Sequence, residues 1–164
     1  MKRAQIDAFC GCRETLYQRI VFFAAPAILL AGIVYVAVRY AQLPAEIPSH
    51  YNFYGEIDGY GSRGTLWITP VIGIPCDALM LAVSFFPQTW NVGTSVTVFN
   101  RALVYRRVRD LIADMRLSTA VMFTAIAVWQ TALAPTFPWG MGVLIGVCCT
   151  APLVRFFVRL AMKK

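Results

Sequence analysis

The chain has 164 residues, 59% of them hydrophobic and 14% charged, with a mean hydropathy of +0.62 and a formal charge of +7. Soluble domains run to about 45–50% apolar and about 25% charged residues, so a soluble globular enzyme is excluded. So is a disordered or fibrous chain, because aromatics make up 13% and no collagen or heptad repeat is present.

The first apolar run, Ile20 to Val38, holds 19 residues without a charge. It exceeds a secretory h-region and lacks a small-residue cleavage site after it, so it reads as a retained span. Further runs cover residues 66–86, interrupted only by Asp77, then 117–134 and 139–160. Each is long enough to cross a hydrocarbon core of about 30 Å with some stretch or tilt. Open strands leave edge amides unpaired in lipid. The expected fold is therefore an all-α membrane protein, one domain over residues 1–164, with four transmembrane helices and an extracytoplasmic β-hairpin loop between the first two.

Basic residues set the expected orientation. Lys2, Arg3, Arg13 and Arg19 precede the first span. Arg101, Arg106, Arg107, Arg109 and Arg116 separate the second from the third, and Arg155, Arg159, Lys163 and Lys164 close the chain. These 13 fall on one side and only Arg39 and Arg63 on the other. The positive-inside rule puts both termini in the cytoplasm of a cell whose inner membrane holds the chain. Anionic headgroups account for the positive charge, so the lipid bilayer is an expected partner and nucleic acid is not.

Residues 40–65 form the outer loop. Pro44 and Pro48 keep their neighbours extended, Ile47 to Asn52 predicts a strand, Phe53-Tyr54-Gly55-Glu56 a turn, and Ile57 to Tyr60 the returning strand. Tyr51, Phe53, Tyr54, Tyr60 and Trp67 are expected as interfacial anchors. An isolated hairpin is marginal in water, so this one must rest on helix ends or lipid. His50, the only histidine, shares the loop with Glu46, Asn52, Glu56, Asp58, Ser62 and Arg63. These groups either tie the hairpin together or bind a ligand, a peptide or a divalent metal; with no Ser or Cys nucleophile placed beside the histidine, catalysis is not expected. No cofactor motif is present. Cys10, Cys12, Cys76, Cys148 and Cys149 show no Cys-x-x-Cys or Cys/His metal spacing and read as small buried hydrophobes.

Asp77, midway along the second span after Pro70 and Pro75, must be protonated, paired or in a polar crevice. A protonated side chain bonded to a Thr, Tyr or carbonyl is the expectation, and a working proton or ligand site the alternative. Residues 95–116 predict an amphipathic cytoplasmic helix, with Val104, Val108, Leu111, Ile112 and Met115 on its apolar face and Asp110 and Asp114 on its polar one. It is expected to lie in the interface before turning into the third span. Gly140, Gly142 and Gly146 allow close packing of the fourth.

The string Leu43-Pro44-x-x-Ile47-Pro48-x-His50-x-Asn52-x-x-Gly55-x-x-Asp58-x-x-Gly61-Ser62-Arg63 resembles the LPxxIPxHxNxxGxxDxxGSK signature of a small bacterial membrane domain of unknown function. That domain occurs at the N-terminus of SdpI-type toxin-immunity proteins. The resemblance runs from about residue 24 to 72, with Arg63 where the family commonly has Lys. The second conserved region of those proteins, rich in Arg, Thr and Trp, is not recognisable after residue 86. The resemblance implies a non-enzymatic protein that engages a secreted peptide or envelope factor through its outer loop. His50, Asn52, Gly55, Asp58, Ser62 and Arg63 are then the candidate binding residues. An accessory subunit of a larger membrane complex is the alternative.

Overall fold

The computed structural model describes residues 2–92 and 95–162; Lys163 and Lys164, counted above among the basic flanks, lie outside the described residues. Helix α1 (Arg3–Cys10) is followed by α2 (Leu16–Tyr40), whose start is fixed by a reciprocal cap. Thr15 Oγ1 accepts from the Gln18 amide at 3.2 Å, and Gln18 Oε1 accepts from the Thr15 amide at 3.1 Å. Strands β1 (Glu46–Tyr51) and β2 (Ile57–Ser62) pair antiparallel as expected. A 3-10 turn over Arg63–Trp67 leads into α3 (Ile68–Ser84), and α4 (Arg101–Gln130) and α5 (Trp139–Ala161) complete the chain. Four of these segments are long and apolar enough to cross a membrane: 16–40, 63–84, 101–130 and 139–161.

Helix α4 departs from the expectation. Residues 101–116 do not lie apart from the third span but continue into it as one 30-residue helix, about 45 Å long. No glycine or proline occurs between Arg101 and Gln130 to break it. It stops at Gln130, four residues short of the expected Ala134, and Leu133, at φ 52°, helps reverse the chain. Its expected faces are also partly exchanged. Asp114 and Arg116 are buried while Met115 is exposed, because each of these charges finds a partner on another helix.

The helices meet in three clusters. Val21, Ala25, Leu29, Ala113 and Ala120 join α2 to α4 at mid-length. There α3 comes close, since a Cβ on Gly73 would stand 3.1 Å from Leu29 Cδ2 and 3.2 Å from Phe123 Cβ. Val36, Leu43, Ile47, Leu66 and Ala127 form the second cluster beneath the hairpin. At the opposite end Ile6, Cys10 and Cys12 pack with Phe9, Phe85, Trp90 and Tyr105, so α1 closes that end of the bundle. Burial pushes the Cys10 thiol up to about 11, as expected of a cysteine serving as a core hydrophobe. Helix α5 is the least enclosed, with Pro152 its only buried residue.

Candidate functional site: the docked hairpin and the buried ion pair

The hairpin turn is built by Asn52. Its Oδ1 accepts from the amides of Tyr54 (2.9 Å) and Glu56 (3.0 Å), its Nδ2 donates to Glu56 Oε2 (3.1 Å), and its amide donates to the Glu56 carbonyl (2.8 Å). Gly55 takes φ 81°, the left-handed region that glycine occupies without strain. Its carbonyl accepts from the Phe137 amide at 2.7 Å, and Glu56 bridges to Thr136. The turn is thereby fastened to the α4–α5 connection.

Ser62 and Arg63 fasten the other end. Ser62 Oγ accepts from the Gly64 amide at 3.3 Å. The Arg63 guanidinium donates to the Leu43 carbonyl at 3.0 Å and the Tyr40 carbonyl at 3.4 Å, and lies 4.8 Å from the Tyr40 ring centroid. A cation there satisfies carbonyls at and just beyond the C-terminal end of α2 and complements its dipole. Either Lys or Arg would supply that charge.

Of the six loop residues, Asn52, Gly55, Ser62 and Arg63 thus have structural work. His50 and Asp58 differ. Their side chains meet at 2.6 Å between Nδ1 and Oδ1 but stay 72% and 42% exposed. A pair that open to solvent adds little stability. Among the described residues no three His, Cys, Asp or Glu side chains converge as a metal site.

Beside this pair lies a cavity of about 240 Å³, lined by Pro48, Ser49, His50, Tyr51, Trp129, Gln130 and Phe137. Three of its walls are aromatic and mutually packed. Tyr51 stands 5.1 Å from Trp129 and 6.0 Å from Phe137, and Trp129 stands 5.1 Å from Phe137. The Tyr51 hydroxyl donates to the Ala134 carbonyl at 2.9 Å, and burial raises its pKa above the ordinary tyrosine value. Tyr51, expected as an interfacial anchor, turns inward instead. Phe53, Tyr54 and Tyr60 remain outward, at 94%, 82% and 66% exposure. Sequence reasoning missed Trp129 and Phe137 as partners of the hairpin. The only available signal was their aromatic character flanking Pro135 and Pro138.

Asp77 is far from this region and is not met by a Thr, Tyr or backbone carbonyl as expected. Its Oδ1 and Oδ2 accept from Arg116 Nε (2.8 Å) and Nη2 (3.0 Å) in a two-pronged ion pair, with the side chains 8% and 4% exposed. Arg116 is consequently part of the bundle interior and not of the basic flank. It is one of several ties that α4 makes. Arg109 pairs with Asp7 of α1 at 2.8 Å, Asp110 with Arg159 of α5 and Gln18 of α2, and Asp114 with Arg155 and Tyr17.

Comparison with known proteins gives one family match, in the first half of the chain, and one distant relative over most of it. Residues 27–74 match the family model described as a domain of unknown function (DUF1648), close to the span of the resemblance read from the sequence. That segment comprises the second half of α2, the hairpin, the 3-10 turn and the start of α3. A protein of Archaeoglobus fulgidus, described as uncharacterized, is 25% identical over 145 residues, covering 79% of each chain. No solved structure matches.

Proposed function

We propose that the chain is a non-enzymatic, multi-pass protein of the cytoplasmic membrane that captures a peptide or envelope factor on its hairpin. The observation that carries this reading is the aromatic cavity between β1 and the α4–α5 connection. It is open to solvent on one side, and its volume of about 240 Å³ leaves room for one large side chain. The hairpin around it is fixed at both ends, so little ordering cost falls on binding. Function then concentrates in the groups the fold leaves free: His50, Asp58 and the exposed aromatics. The basic flanks gather at the opposite end of the bundle, which supports the hairpin facing outward and both termini facing the cytoplasm. The resemblance to SdpI-type immunity proteins agrees with this use of the loop.

A second reading, an accessory subunit of a larger complex, draws on the open faces of α5. One experiment separates the two. A photo-crosslinking benzoylphenylalanine replaces Tyr54 or, separately, Val147 of α5, and adducts from living cells are identified by mass spectrometry. Peptide-sized adducts at position 54, lost on Trp129→Ala, are the expected result. Adducts to one integral membrane protein at position 147, with none at 54, would overturn peptide capture in favour of the subunit.

A further inference from the structure

We propose that the occupant of the hairpin platform is a cationic, extended peptide segment that seats a Lys or Arg side chain in the aromatic cavity. This rests on the peptide-capture reading and gives it a partner chemistry.

The cross-strand register sets Glu46 opposite Ser62 and Pro48 opposite Tyr60; beyond them β1 bulges, His50 falls opposite Gly59, and its side chain reaches diagonally to Asp58 at 2.6 Å. Glu46, Glu56 and Asp58 are all exposed. The two arginines of this end are withdrawn. Arg63 is half-buried against the Tyr40 and Leu43 carbonyls, and Arg39 is half-buried with Nη1 donating to Gln42 Oε1 at 2.9 Å. The platform therefore presents its carboxylates outward and holds its guanidinium groups back. Such a surface attracts cations and raises their local concentration.

The cavity fits the same partner by shape. Its aromatic walls, Tyr51, Trp129 and Phe137, suit the methylene stem of a Lys or Arg side chain, and ring faces attract the charged end. Asp58 does not line the cavity but is bonded to His50, which does, so its charge lies one side chain from the cavity rim. Tyr60 and the turn aromatics Phe53 and Tyr54 add apolar surface for neighbouring residues. Along β2, Asp58 lies four residues from Ser62, the partner of Glu46, a separation of about 13 Å. An extended segment with a second basic residue four positions from the first meets both carboxylates. An anionic lipid headgroup or acidic peptide meets like charge here.

The test uses the full chain in phosphatidylcholine nanodiscs, probed with a randomised dodecapeptide pool and sequenced after capture, with empty discs as background. The retained pool is expected to be enriched in Lys and Arg, with basic residues recurring four apart. That enrichment should fall about tenfold in the Glu46→Gln/Asp58→Asn variant, a loss on the scale of one or two charge contacts. Both replacements keep hydrogen-bonding capacity, and an unchanged melting temperature verifies the fold. A retained pool that is neutral or acidic, or one whose basic enrichment survives the double replacement, would overturn the cationic partner while leaving peptide capture standing. No retention above empty discs would overturn both.

Discussion

Asp77→Asn is expected to cost the folded protein about 3–5 kcal/mol, the penalty for leaving a buried guanidinium without its counter-charge. Asparagine keeps the volume but offers Arg116 one acceptor oxygen where the carboxylate offers two. The site cannot dissipate the charge, since both side chains are more than nine-tenths buried between α3 and α4. Thermal unfolding in detergent should show a markedly lower midpoint. Removing both charges together, as Asp77→Leu with Arg116→Met, should recover most of the loss, because a buried pair replaced by apolar groups of similar size is often neutral or better. A single Asn variant that melts with the parent would refute the pairing as a structural tie.

Ile47→Ala is expected to cost about 2–5 kcal/mol and to loosen the hairpin. Ile47 is 1% exposed and sits in the cluster of Val36, Leu43, Leu66 and Ala127, where β1 rests on α2, the 3-10 turn and α4. A shortened side chain leaves a void there and weakens the seat that β1 has on the helix bundle, leaving Tyr51 as its other inward contact. Limited proteolysis should then cut within residues 50–60 faster than in the parent, alongside a lower melting temperature. Unchanged cleavage and melting would mean that Ile47 is not what seats the hairpin, which is then held by its ties to the α4–α5 connection, by Tyr51 and by Arg63.

These two sites differ in how far the sequence discloses them. The hairpin is legible because its causes are local. Asn52 and Gly55 set the turn, two prolines keep β1 extended, and the apolar residues that fall inward are Ile47 and Tyr51. What the hairpin rests on is not local. Trp129 and Phe137 lie about 80 residues away, and no spacing rule connects them to Tyr51. The Asp77–Arg116 pair is hidden for a related reason. Sequence shows that a mid-span carboxylate needs a partner, but the rotation of α4 that supplies it depends on packing against four other helices. The cluster of charges from Arg106 to Arg116 reads as a helix lying in the interface. In the fold Arg109, Asp110, Asp114 and Arg116 are the ties that fasten α4 to α1, α2, α3 and α5. The absence of any glycine or proline in that stretch was the better guide to its continuity.

The outward-facing hairpin is the central claim, and cysteine accessibility tests it most directly. In a cysteine-free background, Tyr54→Cys at the exposed turn and Arg106→Cys at the opposite end are each expressed in intact cells and treated with a membrane-impermeant maleimide. The account predicts that position 54 is modified from outside and that position 106 reacts only after lysis. Modification of position 106 in intact cells, with position 54 protected until lysis, would invert the orientation and contradict capture of an extracytoplasmic peptide.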